Sequence, residues 1–287
     1  MGENLSIGWG VAALVLLTAI IHASWNAVVK SSGDSLLTLT LLVVSGAVVS
    51  GVAIPFVGLP AQAAWPYLGM SFVLHAFYAL FLLLAYRFGD LSHVYPIARG
   101  IGPILVALLS ALLANEVPSA YQTVLLLLVS LAIASLALES GWPRGERVKP
   151  VGFAIATGVL IGAYTFVDGQ GVRRAGSPLS YIVWLFFLNG IPLLTASFFL
   201  RRRRIVPFLR ARGGRDLIAG LLAAIGYGIV IWAMSRSAMA LVASLRETSV
   251  IFGALIGAVL LGEPFGRRRV LAALLVAAGV GLLSLSS

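Results

Sequence analysis

The sequence predicts an all-α integral membrane protein of ten transmembrane helices, arranged as two inverted five-helix repeats. Three observations predict it. Of 287 residues, 60% are hydrophobic and 10% charged, with a mean hydropathy of +1.02, whereas a soluble domain carries charge on about a quarter of its residues. The apolar residues fall into ten long unbroken runs, each near the roughly 20 residues that cross a ~30 Å hydrocarbon core. Two arginines inside those runs, Arg99 and Arg246, are each followed 17 residues later by a glutamate, Glu116 and Glu263. The composition excludes a disordered chain, which needs low hydrophobicity and high charge density. With no Cys, disulfides, thiolate nucleophiles and zinc–thiolate sites are excluded as well.

The spans read in order as 7–29, 35–57, 65–87, 92–114, 119–139, 150–171, 178–200, 215–236, 240–261 and 268–286. No basic residue precedes the first run and Lys30 follows it, the reverse of a secretory signal, so it reads as a retained span. Ser31-Ser32-Gly33-Asp34 closes it, and Pro55 to Pro60 closes the second. Gly89-Asp90, Glu116-Val117-Pro118, Gly176-Ser177-Pro178 and Glu263-Pro264 supply later breaks, because Gly, Pro, Asp and Ser are the residues that turns require. A β-barrel would alternate apolar and polar residues over ~10-residue segments; these runs do not alternate.

Lys and Arg collect in cytoplasmic loops. The loops after spans 1, 3, 5, 7 and 9 hold 15 of the 20 basic residues, among them Arg201 to Arg204, Arg210, Arg212, Arg215 and Arg267 to Arg269. The other side holds three, Arg173, Arg174 and Arg236. This asymmetry supports ten spans, with both termini outside and the basic loops in the cytoplasm. The net charge of +10 then reads as a fringe that fixes topology and attracts anionic lipid. A nucleic-acid site would interleave aromatic residues with the basic ones, and here they are lacking.

Arg99 and Arg246, like Glu116 and Glu263, are separated by 147 residues. The stretch Ile104 to Leu109 resembles Ile251 to Ile256 in texture. That offset makes span 4 equivalent to span 9 and divides the chain into 1–140, a linker at 141–149 and 150–287. Five spans per half is odd, so the second half enters the membrane inverted, the architecture of secondary transporters.

The segment from His22 through Trp25, Asn26 and Lys30, the stretch Gly89-Asp-Leu-Ser-His-Val-Tyr-Pro-Ile-Ala-Arg99 and the two span-ending glutamates resemble the EamA branch of the drug/metabolite transporter superfamily. The resemblance covers essentially the whole chain and extends to branch members that export aromatic amino acids. It implies a ten-helix exporter of a bacterial inner membrane, with two inverted five-helix halves and a central cavity. Small multidrug-resistance exporters of the same superfamily exchange protons for cations through a glutamate in span 1. Span 1 here contains no acid, which argues against that mechanism and against cationic drugs as substrate.

Ionisable groups at membrane depth face a cavity or a partner, so the candidate substrate site is built from them and from aromatics at helical spacing. Span 1 offers His22, Trp25 and Asn26; span 3, His75 and Tyr78; span 4, Tyr95 and Arg99; span 6, Tyr164 and Asp168. Trp184, Tyr227, Arg246 and Glu247 come from spans 7 to 9. Arg99 and Arg246 are the principal candidates, because a guanidinium stays charged and its fork fits a carboxylate. The alternative is structural, each Arg pairing with a buried acid, Glu247 or Asp168. Pro96, Gly100, Gly102 and Pro103 around Arg99 predict an irregular helix there. His22 and His75 either relay protons or are held by hydrogen bonds. The tyrosines either stack on a ring or anchor at the interface, as Trp9, Trp65 and Trp142 are expected to do. Gly253 and Gly257 read as a close helix contact, and Glu116 and Glu263 as membrane-edge positions outside the site.

The expectation is a monomeric transporter that moves a small amphipathic metabolite, an amino acid with an aromatic or hydrophobic side chain, across the lipid bilayer. No cofactor, metal or nucleic acid is expected. A passive facilitator, or a transporter of another anionic metabolite, is the alternative. No Ser/His/Asp cluster, His-Glu-x-x-His or Gly-rich phosphate loop suggests an enzyme, and no Walker motif suggests an ATP-driven pump.

Overall fold

A computed structural model describes residues 7–30, 34–88, 91–136, 148–252, 255 and 267–285. The linker, Trp142, Gly253, Gly257 and Glu263 lie outside the described residues, as do the side chains of Asn26 and Arg267 to Arg269. Among the described residues there is no strand. Nine α-helices are described: α1 (Trp9–Lys30), α2 (Ser35–Val57), α3 (Trp65–Phe88), α4 (Leu91–Leu113), α5 (Ala120–Ser135), α6 (Val148–Arg174), α7 (Pro178–Met234), α8 (Met239–Arg246) and α9 (Arg267–Leu285). Stretches within α2, α3, α4, α6 and α7 are long and apolar enough to cross a membrane. Phe56, Phe199 and Trp9 are among the most exposed large side chains, and this apolar exterior is what a lipid solvent demands.

Local chemistry sets the helix starts. Asp34 accepts the Leu37 N–H ahead of α2, and Ser119 forms a capping box with Gln122 ahead of α5. Ser177 accepts the Ser180 N–H ahead of α7, with Pro178 as the first helical residue. Each cap satisfies a backbone donor that the helix itself leaves unpaired. At the end of α4, Asn115 takes a left-handed conformation (φ 56°), which Asn tolerates better than most residues.

Three sequence expectations are corrected. Spans 7 and 8 were expected to be joined by a loop at 201–214; the backbone is helical from Pro178 to Met234. A straight helix of 57 residues would run roughly 85 Å, yet a Cβ at Gly228 would touch Ile182 and Phe186. The chain therefore turns back on itself, between Arg201, paired with Asp34 at 3.2 Å, and Gly220, which sits against Leu42 and Ser45. Pro207, within the helix at this point, cannot donate the helical hydrogen bond. Span 9 was expected to be one helix; α8 ends at Arg246, Glu247 and Thr248 form a turn, and helix resumes at Ser249. Conversely, α4 is helical throughout despite Pro96 and Pro103. Its glycines serve packing: a Cβ at Gly100 would strike the Ser130 carbonyl of α5, and one at Gly102 the Ile161 side chain of α6.

The helices pair in a reciprocal pattern. α3 and α4 pack on α6, while α1 packs on α7 and α8; Gly226, in the returning arm of α7, faces Ile21 and Thr18. α5 packs against α9, with Gly279 opposite Val129. One end of the bundle is laced by polar contacts between helices far apart in the chain. Arg173 pairs with Glu116 and also donates to the Met234 and Ser237 carbonyls, each at 2.8 Å. The other Glu116 oxygen accepts the Met239 N–H at 3.0 Å, capping α8.

Candidate functional site

Helical spacing brings one face of each of five helices to a common cavity of about 170 Å³. α1 contributes Thr18, His22 and Trp25; α2, Leu39 and Val43; α3, His75 and Tyr78; α6, Tyr164; α7, Phe186, Asn189 and Tyr227. Arg246, at the end of α8, completes the wall. The aromatic rings brace one another. His75 stacks on Tyr164 at 4.1 Å, Tyr78 meets Tyr164 edge-on at 5.3 Å, and Tyr227 stands perpendicular to Tyr164 at 5.9 Å. His22 and Trp25 form an edge-to-face pair at 4.8 Å. An apolar cavity of about 150 Å³ accepts benzene, so this one has room for a single-ring group.

A second chamber of about 40 Å³ lies beyond Tyr78 and Tyr164, which line both. It reaches Tyr86, Tyr95, Arg99, Thr157 and Ile161, and shares His22, Trp25 and Leu39 with the first. One chamber thus holds Arg246 and the other Arg99.

The four buried charges at or beside the chambers have different surroundings. Asp168 is fully buried, and both its oxygens accept hydroxyl hydrogens, from Tyr181 at 3.1 Å and Tyr227 at 2.7 Å. Gly171 leaves space for the Tyr181 ring, which a Cβ there would strike. Arg99 Nε lies 2.8 Å from Glu247 Oε2, with both side chains nearly inaccessible. The contact is an ion pair without in-line hydrogen-bond geometry, and neither Glu247 oxygen has a hydrogen-bond partner. Arg246 sits 5.7 Å from the Tyr227 ring centre, a cation–π distance. Its Nε has no hydrogen-bond partner. His75 Nδ1 contacts the Ser71 hydroxyl and carbonyl oxygens, both at 3.0 Å.

Of the residues singled out in the sequence, His22, Trp25, His75, Tyr78, Tyr164, Tyr227 and Arg246 line the larger chamber. Tyr95 and Arg99 line the smaller one, and Asp168 and Glu247 stand behind the walls. Trp184, also expected at the site, lines neither chamber. Its Nε1 donates to the Gly58 carbonyl at 3.1 Å, and its ring packs on Trp65 and Phe187. Helical phase alone could not distinguish a cavity-facing tryptophan from one turned toward the α2–α3 connection. Sequence reasoning missed Tyr181, Phe186 and Asn189. Asn189 could have been found as an uncharged polar residue inside an apolar run; Tyr181 and Phe186 carry no such signal. Among the described residues no cluster of His, Asp and Glu is placed to hold a metal.

No curated protein matches the sequence. Among 27 matching chains of known structure is one described as "Crystal structure of protein". It superposes with a TM-score of 0.74 over 96% of this chain and 96% of its own, at 16% identity, a likeness that shows the fold alone. Residues 148–285 match the EamA-like transporter family. That segment is just under half of the chain; with its apolar helices, the chain is a multi-pass membrane protein whose residues 148–285 are similar to the EamA-like transporter family.

Proposed function

We propose that the protein is a secondary transporter exporting small amphipathic metabolites, amino acids with aromatic or hydrophobic side chains, across a bacterial inner membrane by alternating access. It works as a monomer without a cofactor, with both termini outside, and in substrate class it is close to the aromatic amino acid exporters of the family. The observation that carries this reading is Arg246: a buried guanidinium with an unpartnered Nε, on the wall of a ring-sized aromatic cavity. An unsatisfied guanidinium in a low-dielectric site favours a carboxylate that can approach it bidentately. The aromatic rings favour an apolar or aromatic side chain by area burial and edge-to-face contact. Arg99, Arg246, Asp168 and Glu247 together are electrically balanced, which suits a zwitterion better than a net anion.

The reciprocal packing of α3 and α4 on α6, and of α1 on α7 and α8, supports two inverted halves with the site between them. So does the 147-residue offset between Arg99 and Arg246. The division into two chambers by Tyr78 and Tyr164, and the lacing of one end by Arg173 and Glu116, favour a carrier over a facilitator, which needs a continuous path. The test is counterflow of radiolabelled L-phenylalanine into proteoliposomes. Wild-type protein should accumulate label, and Arg246→Ala should lower the rate more than tenfold with little loss of folded protein. Equal rates for the two proteins would overturn the site, and ion-like fluxes far above carrier turnover would favour the facilitator.

A further inference from the structure

The Arg99–Glu247 pair is a buried ion pair beside the cavity whose polar atoms are incompletely satisfied. Arg99 Nε and Nη2, Arg246 Nε and both Glu247 oxygens are buried without a hydrogen bond of good geometry. Elsewhere around the cavity, Asp168 takes two tyrosine hydroxyls and His75 is held by Ser71. Buried groups that stay charged but lack oriented hydrogen bonds are poised to exchange partners, because a better-aligned partner stabilises them in a low dielectric. Glu247 also sits where exchange is mechanically feasible. It occupies the turn between α8 and the helix that resumes at Ser249, and its N–H makes a tightened bond to the Ser244 carbonyl. It directly follows Arg246 in the chain and pairs with Arg99 of α4.

We infer that the Glu247 carboxylate is a resident stand-in for a ligand carboxylate on Arg99, and that Arg99 is a second carboxylate subsite in the smaller chamber. The inference rests on the reading of Arg246 as the first carboxylate site. In the empty protein Glu247 neutralises Arg99 and leaves Arg246 open to the larger chamber. A ligand carboxylate that moves from Arg246 to Arg99 displaces Glu247, which swings back toward Arg246, so neither arginine is left bare while ligand is bound at Arg99. The chamber volume of about 40 Å³, well below the ~150 Å³ of a cavity that accepts benzene, fits a carboxylate head and not a ring. The ring therefore stays among Tyr78 and Tyr164, which border both chambers.

The experiment is calorimetric titration of the purified full-length protein in lipid nanodiscs with phenylacetate, with phenethylamine as a cationic control. Wild type should bind one phenylacetate per chain and no phenethylamine, and Arg246→Gln should abolish that binding. Glu247→Gln keeps the side-chain shape but frees Arg99. It should raise phenylacetate affinity about tenfold or add a second equivalent, a gain that the double variant Arg99→Gln/Glu247→Gln loses. Arg99→Gln alone frees Glu247 to occupy Arg246 and should weaken phenylacetate about tenfold, although Arg99 does not line the larger chamber. A Glu247→Gln protein that binds as wild type or more weakly, or an Arg99→Gln protein of unchanged affinity, overturns the stand-in role while leaving the Arg246 site intact. Loss of binding in none of the Arg246 variants overturns the first site instead. Should Glu247→Gln fail to fold, the Arg99→Gln titration alone decides the matter.

Discussion

Asp168 and Glu247 are both acids deep in the helix bundle, and both are inaccessible to solvent, yet their surroundings differ completely. Asp168 lies on the uninterrupted helix α6, in a stretch buried from Tyr164 to Val172, with a tyrosine hydroxyl on each oxygen. Glu247 lies at a helix break, opposite Arg99 of α4, with no hydrogen bond of good geometry. The first arrangement fixes a wall; the second leaves a charge able to change partners. A buried carboxylate is therefore structural or mobile according to its hydrogen-bond complement, not its depth.

Four substitutions break or sharpen this contrast. Asp168→Ala leaves two buried hydroxyls without an acceptor, at ~1–3 kcal/mol for each unsatisfied group. It should lower stability in a denaturant titration in micelles by about 3 kcal/mol. Arg173→Ala removes charge-assisted bonds to two carbonyls and to Glu116 at the laced end; partial exposure of the pair limits the loss to about 2 kcal/mol. Glu247→Gln should destabilise by about 1 kcal/mol in the same titration, below the ~3–5 kcal/mol of a sealed ion pair, because Arg99 faces a chamber. A loss as large as that of Asp168→Ala would place Glu247 in the structural class. Tyr181→Phe removes one interhelical hydrogen bond to Asp168, worth about 0.6 kcal/mol in a membrane, while Tyr227 keeps the other oxygen occupied. The last effect should be visible only as a small shift of the unfolding midpoint.

Much of this organisation is legible in the sequence, and the reason is the solvent. Lipid tolerates no unsatisfied backbone and few charges, so spans appear as apolar runs and the exceptions mark the interior. Arg99, Asp168, Arg246 and Glu247 stand out for that reason, and all four are buried at or beside the two chambers. What helical phase could not convey was which acid meets which arginine. Glu247 is 148 residues from Arg99 in the chain, and only packing of α8 against α4 brings them together. Trp184 shows the same limit, since its spacing suits the cavity but its indole is drawn to the Gly58 carbonyl. The arginine-rich connection at 201–214 reads as a loop by charge alone, yet its residues are compatible with helix and the backbone stays helical through the turn.

By itself the sequence determined the membrane class and the matched positions of Arg99 and Arg246, because each follows from local composition or fixed spacing along one chain. Tertiary structure decided that Arg99 is held by Glu247, that Asp168 is clasped by Tyr181 and Tyr227, and that Arg246 faces an aromatic cavity. Those outcomes depend on which helices touch and at what rotation, and contacts between residues far apart in the chain leave no mark on either residue's own neighbourhood.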